Sequence, residues 1–433
     1  MAEWIERTWT PLDGPGLPRS ARVGGTYRAF LPDPLQKRRL VMPAELSREA
    51  ARVEQSILEL SDRGARRTTG TGLEGIARFL LRSEAISSSR IEGIAPQPDK
   101  VAIAELADRD PSTPARNVAQ LVANNVAVLQ ELSRVVQESE ELGLDQIVEA
   151  QTLLLGNTRL SGLRDLQNWI GGSDYSPLEA EFVPPPPEYV PELMVDLVDY
   201  LNGATHGALI QAALVHAQFE TIHPFADGNG RVGRALIHAV LQRRGLVDYP
   251  VLPVSMVLGT WSDRYIHGLT RFRDEGAESG GILEWIEVFI AASREAVTQA
   301  ARIADELDEL RREWMQRVDE HRKGQGMTRA LRSDSIEWRI LQSIPDHPLL
   351  TATVASEIFE TSRTAAGKAL DNLVDAGVLR KKSIGKGVTG YLADDVFELI
   401  TLAERRLAST RFDTVAAPPS GRAVPVVPPR HRR

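Results

Sequence analysis

Apolar residues recur at spacings of three and four along most of this chain, the period of helices that bury one face. Helical patterns run from about Pro43 to Arg67 and from Gly72 to Ile91, the second carrying Leu73, Ile76, Phe79, Leu80, Ile86 and Ile91. They resume at Pro114 and continue to Ala292 with two interruptions. Within that stretch, Ala208 to Ile222 spreads Leu209, Ala213, Val215, Phe219 and Ile222 on apolar faces. Arg231 to Arg243 turns Val232, Leu236, Ala239 and Val240 inward, so residues 223–230 form a loop between two helices. The other interruption reads as a hairpin: Asn168 to Gly172 and Glu181 to Pro187 are extended runs around Gly171, Gly172 and Pro177.

Beyond residue 292 the pattern changes. Ser293 to Lys323 is a charged helix with Ile303, Leu307, Leu310 and Trp314 at 4-3-4 spacing. That suits a connecting helix or a short helix–helix seam, in one reading across a homodimer. Ile336 to Ile344, Ala352 to Phe359 and Ser362 to Ala376 are three further helical patterns, and Gly377 ends the third. Val378 to Ile384 and Val388 to Leu392 are short β runs around Gly385-Lys386-Gly387. Three helices and a hairpin make a winged-helix arrangement. Residues 1 to about 45 are rich in Pro, Gly and Arg, and the tail beyond about Thr410 is expected to be disordered. The expected division is 1–110, 111–292, 293–330, 331–405 and 406–433. The expected fold is mainly α, with a β-hairpin in the core and a small α+β domain near the C-terminus.

Composition adds exclusions. At 433 residues the chain has length for two or three domains. It has no cysteine, which removes disulfides, thiolate nucleophiles and thiolate metal sites. No run spans a membrane and no signal-peptide pattern is seen, so the expectation is a cytoplasmic protein without membrane contact. A net charge of −8 gives no general drive toward nucleic acid.

The densest chemistry lies in His223-Pro-Phe-Ala-Asp-Gly-Asn-Gly-Arg-Val-Gly-Arg234, at the helix–loop–helix junction. Gly228 and Gly230 allow positive φ, so successive N–H groups can converge as an anion nest at the start of a new helix. Arg231 and Arg234 lie three apart in its first turn, and guanidinium forks suit phosphate oxygens. Two arginines oppose the helix dipole there, which favours a bound anion. Asp227 is a hard oxygen ligand suited to Mg²⁺, and His223 can take a proton near neutral pH.

This string resembles the Fic signature, His-x-Phe-x-(Asp/Glu)-Gly-Asn-(Gly/Lys)-Arg-x-x-Arg, at every fixed position, and Phe219-Glu220-Thr221-Ile222 resembles the family's lead-in. Most Fic enzymes move AMP from ATP onto a Ser, Thr or Tyr hydroxyl of a protein. The resemblance implies that His223 is the general base, that Asp227 holds Mg²⁺, and that Asn229 with the Gly228 and Gly230 N–H groups holds the α and β phosphates. Arg231 would support the phosphates, Arg234 would engage the γ phosphate, and Phe225 would anchor the loop.

Ser88-Ser-Arg-Ile-Glu92-Gly93 resembles the family's inhibitory motif, (Ser/Thr)-x-x-x-Glu-(Gly/Asn). The resemblance pairs Glu92 with Arg234, which would keep ATP from binding productively. Residues 168–187 match the position of the Fic flap, which holds a target peptide by strand addition. Arg164 in Gly162-Leu163-Arg164 resembles a recurring family position. Tyr265 and Trp285 fall where the family builds part of its adenine pocket. The C-terminal segment resembles the winged helix of many bacterial Fic proteins; its Arg363, Lys368, Arg380, Lys381, Lys382 and Lys386 suit DNA contact in one reading and protein docking in another. The leading function is a protein adenylyltransferase held off by Glu92. The alternatives are removal of AMP or transfer of another phosphate-containing group, and a nucleotide-sensing transcription regulator.

Overall fold

The helical periodicity becomes a mainly α architecture in the computed structural model, which describes all residues except 1, 12–18, 39, 67–71, 108, 110–116, 157–158, 250–251, 275–279, 386 and 411–433. The first element is an antiparallel pair, β1 (Glu3–Trp9) with β2 (Gly25–Leu31), in register from Glu3–Leu31 to Trp9–Gly25. Residues 1–45 suggest no strand, because the two runs lie far apart in sequence and lack a tight-turn signal. Trp4 packs on Phe30 with ring centroids 5.0 Å apart, the cross-strand contact that holds the pair.

Helices α1 (Ala44–Arg66), α2 (Gly72–Ile91), α3 (Pro98–Ala107), α4 (Asn117–Glu138) and α5 (Leu144–Leu155) follow. After an irregular segment come α6 (Val190–Asn202), α7 (Ala208–Ile222) and α8 (Asn229–Arg243). Then α9 (Val254–Thr260) and α10 (Ser262–Phe272) lead into α11 (Gly280–Gly324). Every residue of α7 is buried, so it is the central rod, packed by α1, α6, α8, α10 and α11. A helix enclosed on all sides must settle its polar side chains internally. Gln211 does so, donating to the carbonyls of Tyr200 and Gly203 at 2.8 and 2.9 Å.

Helix α11 is one continuous 45-residue element, so the expected boundary at 292/293 falls inside a helix. Its stripe of Ile303, Leu307 and Trp314 is buried within this chain, and Trp314 donates from Nε1 to Asp395 at 2.9 Å. Leu310 of the same stripe is only partly buried, and the three filled positions are not free to form a seam with a second copy.

The C-terminal unit comprises α12 (Ile336–Ser343), β3 (Leu349–Leu350), α13 (Ala352–Ile358), α14 (Arg363–Asp375), β4 (Arg380–Gly385), β5 (Val388–Leu392) and α15 (Asp394–Thr410). Ser335, Thr351 and Ser362 cap α12, α13 and α14 through their hydroxyls, satisfying N–H groups that each first turn leaves open. The sheet order is β3-β5-β4. Helix α15 carries the chain to Thr410, so residues 406–410, expected as the start of a disordered tail, are helical; residues 411–433 lie outside the described residues.

The basic residues of the hairpin β4–β5 are committed to carboxylates. Arg380 pairs with Asp394, Lys381 with Asp371 at 2.8 Å, and Lys382 reaches Asp99 of α3 at 2.6 Å. Lys386 lies outside the described residues, while Arg363 and Lys368 on α14 are exposed. No helix among the described residues is long and apolar enough to cross a membrane.

A buried polar clip fixes α2 against the centre. The Glu84 carboxylate accepts from Ser255 N–H at 3.0 Å and from the Ser255 hydroxyl, and it lies 3.0 Å from His238 Nε2 on α8. All three residues are at most 2% exposed. Removing one partner leaves the others desolvated without a mate. Glu84→Ala is expected to lower stability by about 3 kcal/mol, read as a lower urea midpoint by tryptophan fluorescence, with Glu84→Gln intermediate. An unchanged midpoint in Glu84→Ala would show that the clip contributes nothing.

Candidate active site

Helix α7 ends because Pro224 follows, and the residue before a proline is pushed out of helical conformation. That residue is His223, which takes the left-handed conformation at φ 49°, ψ 59° as the C-cap. The carbonyls at this helix end are gathered by Arg164. Its Nε donates to His223 O at 2.8 Å, and its Nη2 donates to Ile222 O at 3.3 Å and Pro185 O at 2.6 Å. Burial pushes the guanidinium down to about 10, so it remains a cation at neutral pH. A cation at a helix C-terminus also complements the dipole. Asn168 adds donations to His223 O at 3.2 Å and Phe225 O at 3.0 Å.

The loop beyond is pinned from inside. Phe225 is fully buried, edge-on to Phe219 with centroids 5.9 Å apart. The Asn229 amide accepts from Phe225 N–H at 2.9 Å and donates to Phe225 O at 2.8 Å. Its side chain therefore shapes the loop. Gly228 sits at φ 87°, where a Cβ would meet Leu154 Cδ2 at 2.9 Å. Gly230 differs from expectation: it lies inside right-handed α8, without positive φ. Its value is space, since a Cβ there would overlap the Glu92 carboxylate and approach Arg234 Nη1 at 2.9 Å.

Helix α8 starts without a side-chain cap, leaving first-turn N–H groups open to an anion. Arg231 is 3% exposed, and its Nε and Nη1 have no hydrogen-bond partner. Its Nη2 lies 3.5 Å from Asp227 Oδ1. Asp227 itself is largely exposed. Among the described residues, no cluster of three or more His, Cys, Asp or Glu could hold a metal ion.

Arg234 is 2% exposed and is met by the end of α2. Its Nε donates to Ser88 Oγ at 2.9 Å, and its Nη2 donates to Ser88 O at 2.9 Å and Glu92 Oε1 at 2.6 Å. Burial pushes the Glu92 carboxyl up, but the charge and hydrogen bond of Arg234 outweigh it and hold the group below its usual range. Gly93, at φ 74°, ends α2 just past Glu92, as a C-terminal glycine does. Ser88, Glu92, Arg231, Arg234 and His223 thus share one site.

His223 is pushed down to about 4 by burial, with Arg273 and Arg164 adding to the effect. It is therefore neutral at pH 7 and able to accept a proton. Glu220, one turn earlier, places Oε2 3.9 Å from His223 Nδ1. Burial raises this carboxyl to about 7, with Glu92 adding to the effect and Arg234 and Arg273 opposing it. Glu220 is missed as a functional candidate in the sequence, although it is the one Asp, Glu, Lys or Arg in an otherwise uncharged helix. That isolation is the signal that could have found it.

Tyr265 and Trp285 are core residues. Tyr265 bonds His216 Nε2 through its hydroxyl at 2.9 Å, and fully buried Trp285 donates to Ala213 O at 2.8 Å. Trp285 has no face open to a base. Over the site, the 168–187 segment closes through two isolated bridges, Ile170 with Phe182 and Ser173 with Ser176. On its other side, Phe30 N–H of β2 donates to Val183 O at 2.9 Å.

The sequence model of the Fic/DOC family matches residues 141–241. A probable protein adenylyltransferase of Aquifex aeolicus is 33% identical over 177 residues, which are 41% of this chain and 52% of that protein. Protein adenylyltransferase fic-1 of Caenorhabditis elegans is 34% identical over 124 residues, covering 27% of this chain and 22% of that protein. The chain therefore spans about half the length of the first relative and less of the second. A solved Fic family protein of Desulfovibrio desulfuricans aligns with 82% of this chain and 97% of its own, at 21% identity and a TM-score of 0.48. Residues 141–241, which contain His223, Gly228, Arg231 and Arg234, form a domain of the Fic/DOC family.

Proposed function

We propose that this chain is a protein adenylyltransferase that moves AMP from ATP to a Ser, Thr or Tyr hydroxyl of a target protein and is held off by the end of its own α2. The observation that carries the reading is the pair of guanidiniums opening α8. Arg231 is buried with donors unmatched, and Arg234 is matched by Ser88 and Glu92. Both call for anions, and a nucleoside triphosphate supplies them at this spacing. The names of the Aquifex and Caenorhabditis relatives point the same way.

In this reading the target hydroxyl oxygen attacks the α-phosphorus. The bond from the α-phosphorus to the bridging oxygen breaks, pyrophosphate leaves with that electron pair, and His223 Nε2 takes the hydroxyl proton. The open N–H groups of α8 and Arg231 hold the α and β phosphates. Arg234 engages the γ phosphate once Glu92 has left it. Asp227, an exposed hard oxygen beside the nest, fits Mg²⁺ in the way that ion binds when phosphates and water complete its shell, and the ion would neutralise phosphate charge. The 168–187 segment would present the target by main-chain pairing over the loop, tied to the base through Asn168 and Arg164.

The C-terminal unit reads as a winged helix serving as a docking element, because the cations of its wing are spent on carboxylates. It touches α2 directly. Glu404 of α15 accepts from Ser87 Oγ at 3.1 Å and pairs with Arg90, less than a turn before Glu92. In this reading the unit steadies the inhibitory segment.

With α-labelled ATP, Glu92→Gly is expected to label protein about tenfold or more above wild type, and Glu92→Gly with His223→Ala is expected to return it to background. Absence of label in Glu92→Gly under any nucleotide would end the transferase reading. Glu404→Ala is expected to raise labelling by a smaller factor, about two- to fivefold, since its pair with Arg90 is partly exposed. Labelling equal to wild type would detach the C-terminal unit from control.

A further inference from the structure

We propose that Glu220 is the positioning residue of the base: its carboxylate closes onto the Nδ1–H of His223 as Nε2 takes the target proton. The proposal rests on the transferase reading above. Glu220 lies in the last turn of α7 and His223 caps it, with Glu220 Oε2 3.9 Å from His223 Nδ1. Glu220 Oε1 and His223 Nδ1 are both buried without a hydrogen-bond partner of good geometry, although the Glu220 carbonyl also approaches the imidazole. Buried polar atoms are nearly always matched, so an unmatched Nδ1 with an incompletely matched carboxylate 3.9 Å away points to a contact made in another state. A side-chain shift of about 1 Å brings Oε2 and Nδ1 into hydrogen-bond range.

The surroundings give that contact its purpose. The imidazole sits within the fields of Arg273 and Arg164, both of which disfavour an imidazolium. Accepting a proton in such a place needs a nearby anion. Glu92 is one, but it belongs to the segment that must leave. Glu220 stays, because α7 is the central rod. Space for its carboxyl is kept by Gly233 of α8, where a Cβ would meet Glu220 Oε1 at 2.7 Å and Phe219 Cδ1 at 2.9 Å.

The groups facing Glu220 set its charge. They are Arg234 of α8, Arg273 beyond α10, Tyr265 of α10, Glu92 beyond α2, and His223 on its own helix. Burial raises the carboxyl to about 7, and the charge of Glu92 raises it further, against Arg234 and Arg273. When Glu92 leaves, one cause of that rise leaves with it, and Glu220 becomes more fully ionised at neutral pH. Departure of Glu92 therefore frees Arg234 and charges the orienter of the base in one step.

The test compares full-length Glu92→Gly with Glu92→Gly/Glu220→Gln, using α-labelled ATP across pH 5 to 9. The double variant is expected to lose about 10- to 100-fold in kcat, with KM for ATP within about twofold. Its acid limb should move to lower pH, for two reasons of the same sign. Ionisation of Glu220 is no longer required, and His223 without a carboxylate neighbour stays neutral to lower pH. Equal kcat in the two variants would overturn the proposal. So would a lower kcat with an unmoved acid limb, or weaker ATP binding by calorimetry, since either marks a packing role. Failure of Glu92→Gly itself to label would instead reject the transferase reading.

Discussion

A guanidinium enclosed in a helical core cannot remain there unless anions or strong acceptors surround it. Arg234 is that group here, and much of the molecule is arranged around its needs. Helix α8 brings it into the centre. Helix α2 reaches the same point with a hydroxyl, a carbonyl and a carboxylate, all supplied by Ser88 and Glu92. Glu84 ties the same helix to α8 and α9 two turns earlier, so the position of Glu92 is set by buried polar contacts and not by its own surface turn alone. A carboxylate and a phosphate satisfy the same fork.

Much of this was legible in the sequence. Ala208–Ile222 and Gly72–Ile91 follow helical periodicity end to end, and the pairs Ser362/Gly377 and Ile222/Pro224 mark helix limits through caps and proline sterics. Other parts were not legible for definite reasons. The β1–β2 pair joins segments too far apart for a local turn signal. The α15 sequence mixes charges with apolar residues, and its purpose is set by α2 and α11, neighbours only in space. Gly230 was read as a source of unusual φ, whereas its lack of a side chain makes room for a carboxylate that comes from far along the chain. Glu220 was visible as a lone charge, yet only the fold shows that it faces His223.

The long helix α11 places the C-terminal unit against α2 and α3. Its first half packs against α7, α9 and α10, and its second half holds α15 through Trp314 and Asp395. With no break along its length, the C-terminal unit is seated beside α2 by a rod and not a tether. Glu404, Lys382 and Asp346 then meet residues of α2 and α3, giving an internal interface built from several charged contacts. Contacts of this kind are individually weak and adjust easily.

The backbone at His223 carries one further meaning. A non-glycine residue in the left-handed region sits about 1 kcal/mol or more above its relaxed state, and here it is the residue whose imidazole faces the nest. Glycine or asparagine would occupy that turn with less strain. Stability alone would thus favour another residue at this corner, and the strained turn is held instead by Arg164 and Asn168 through the His223 carbonyl.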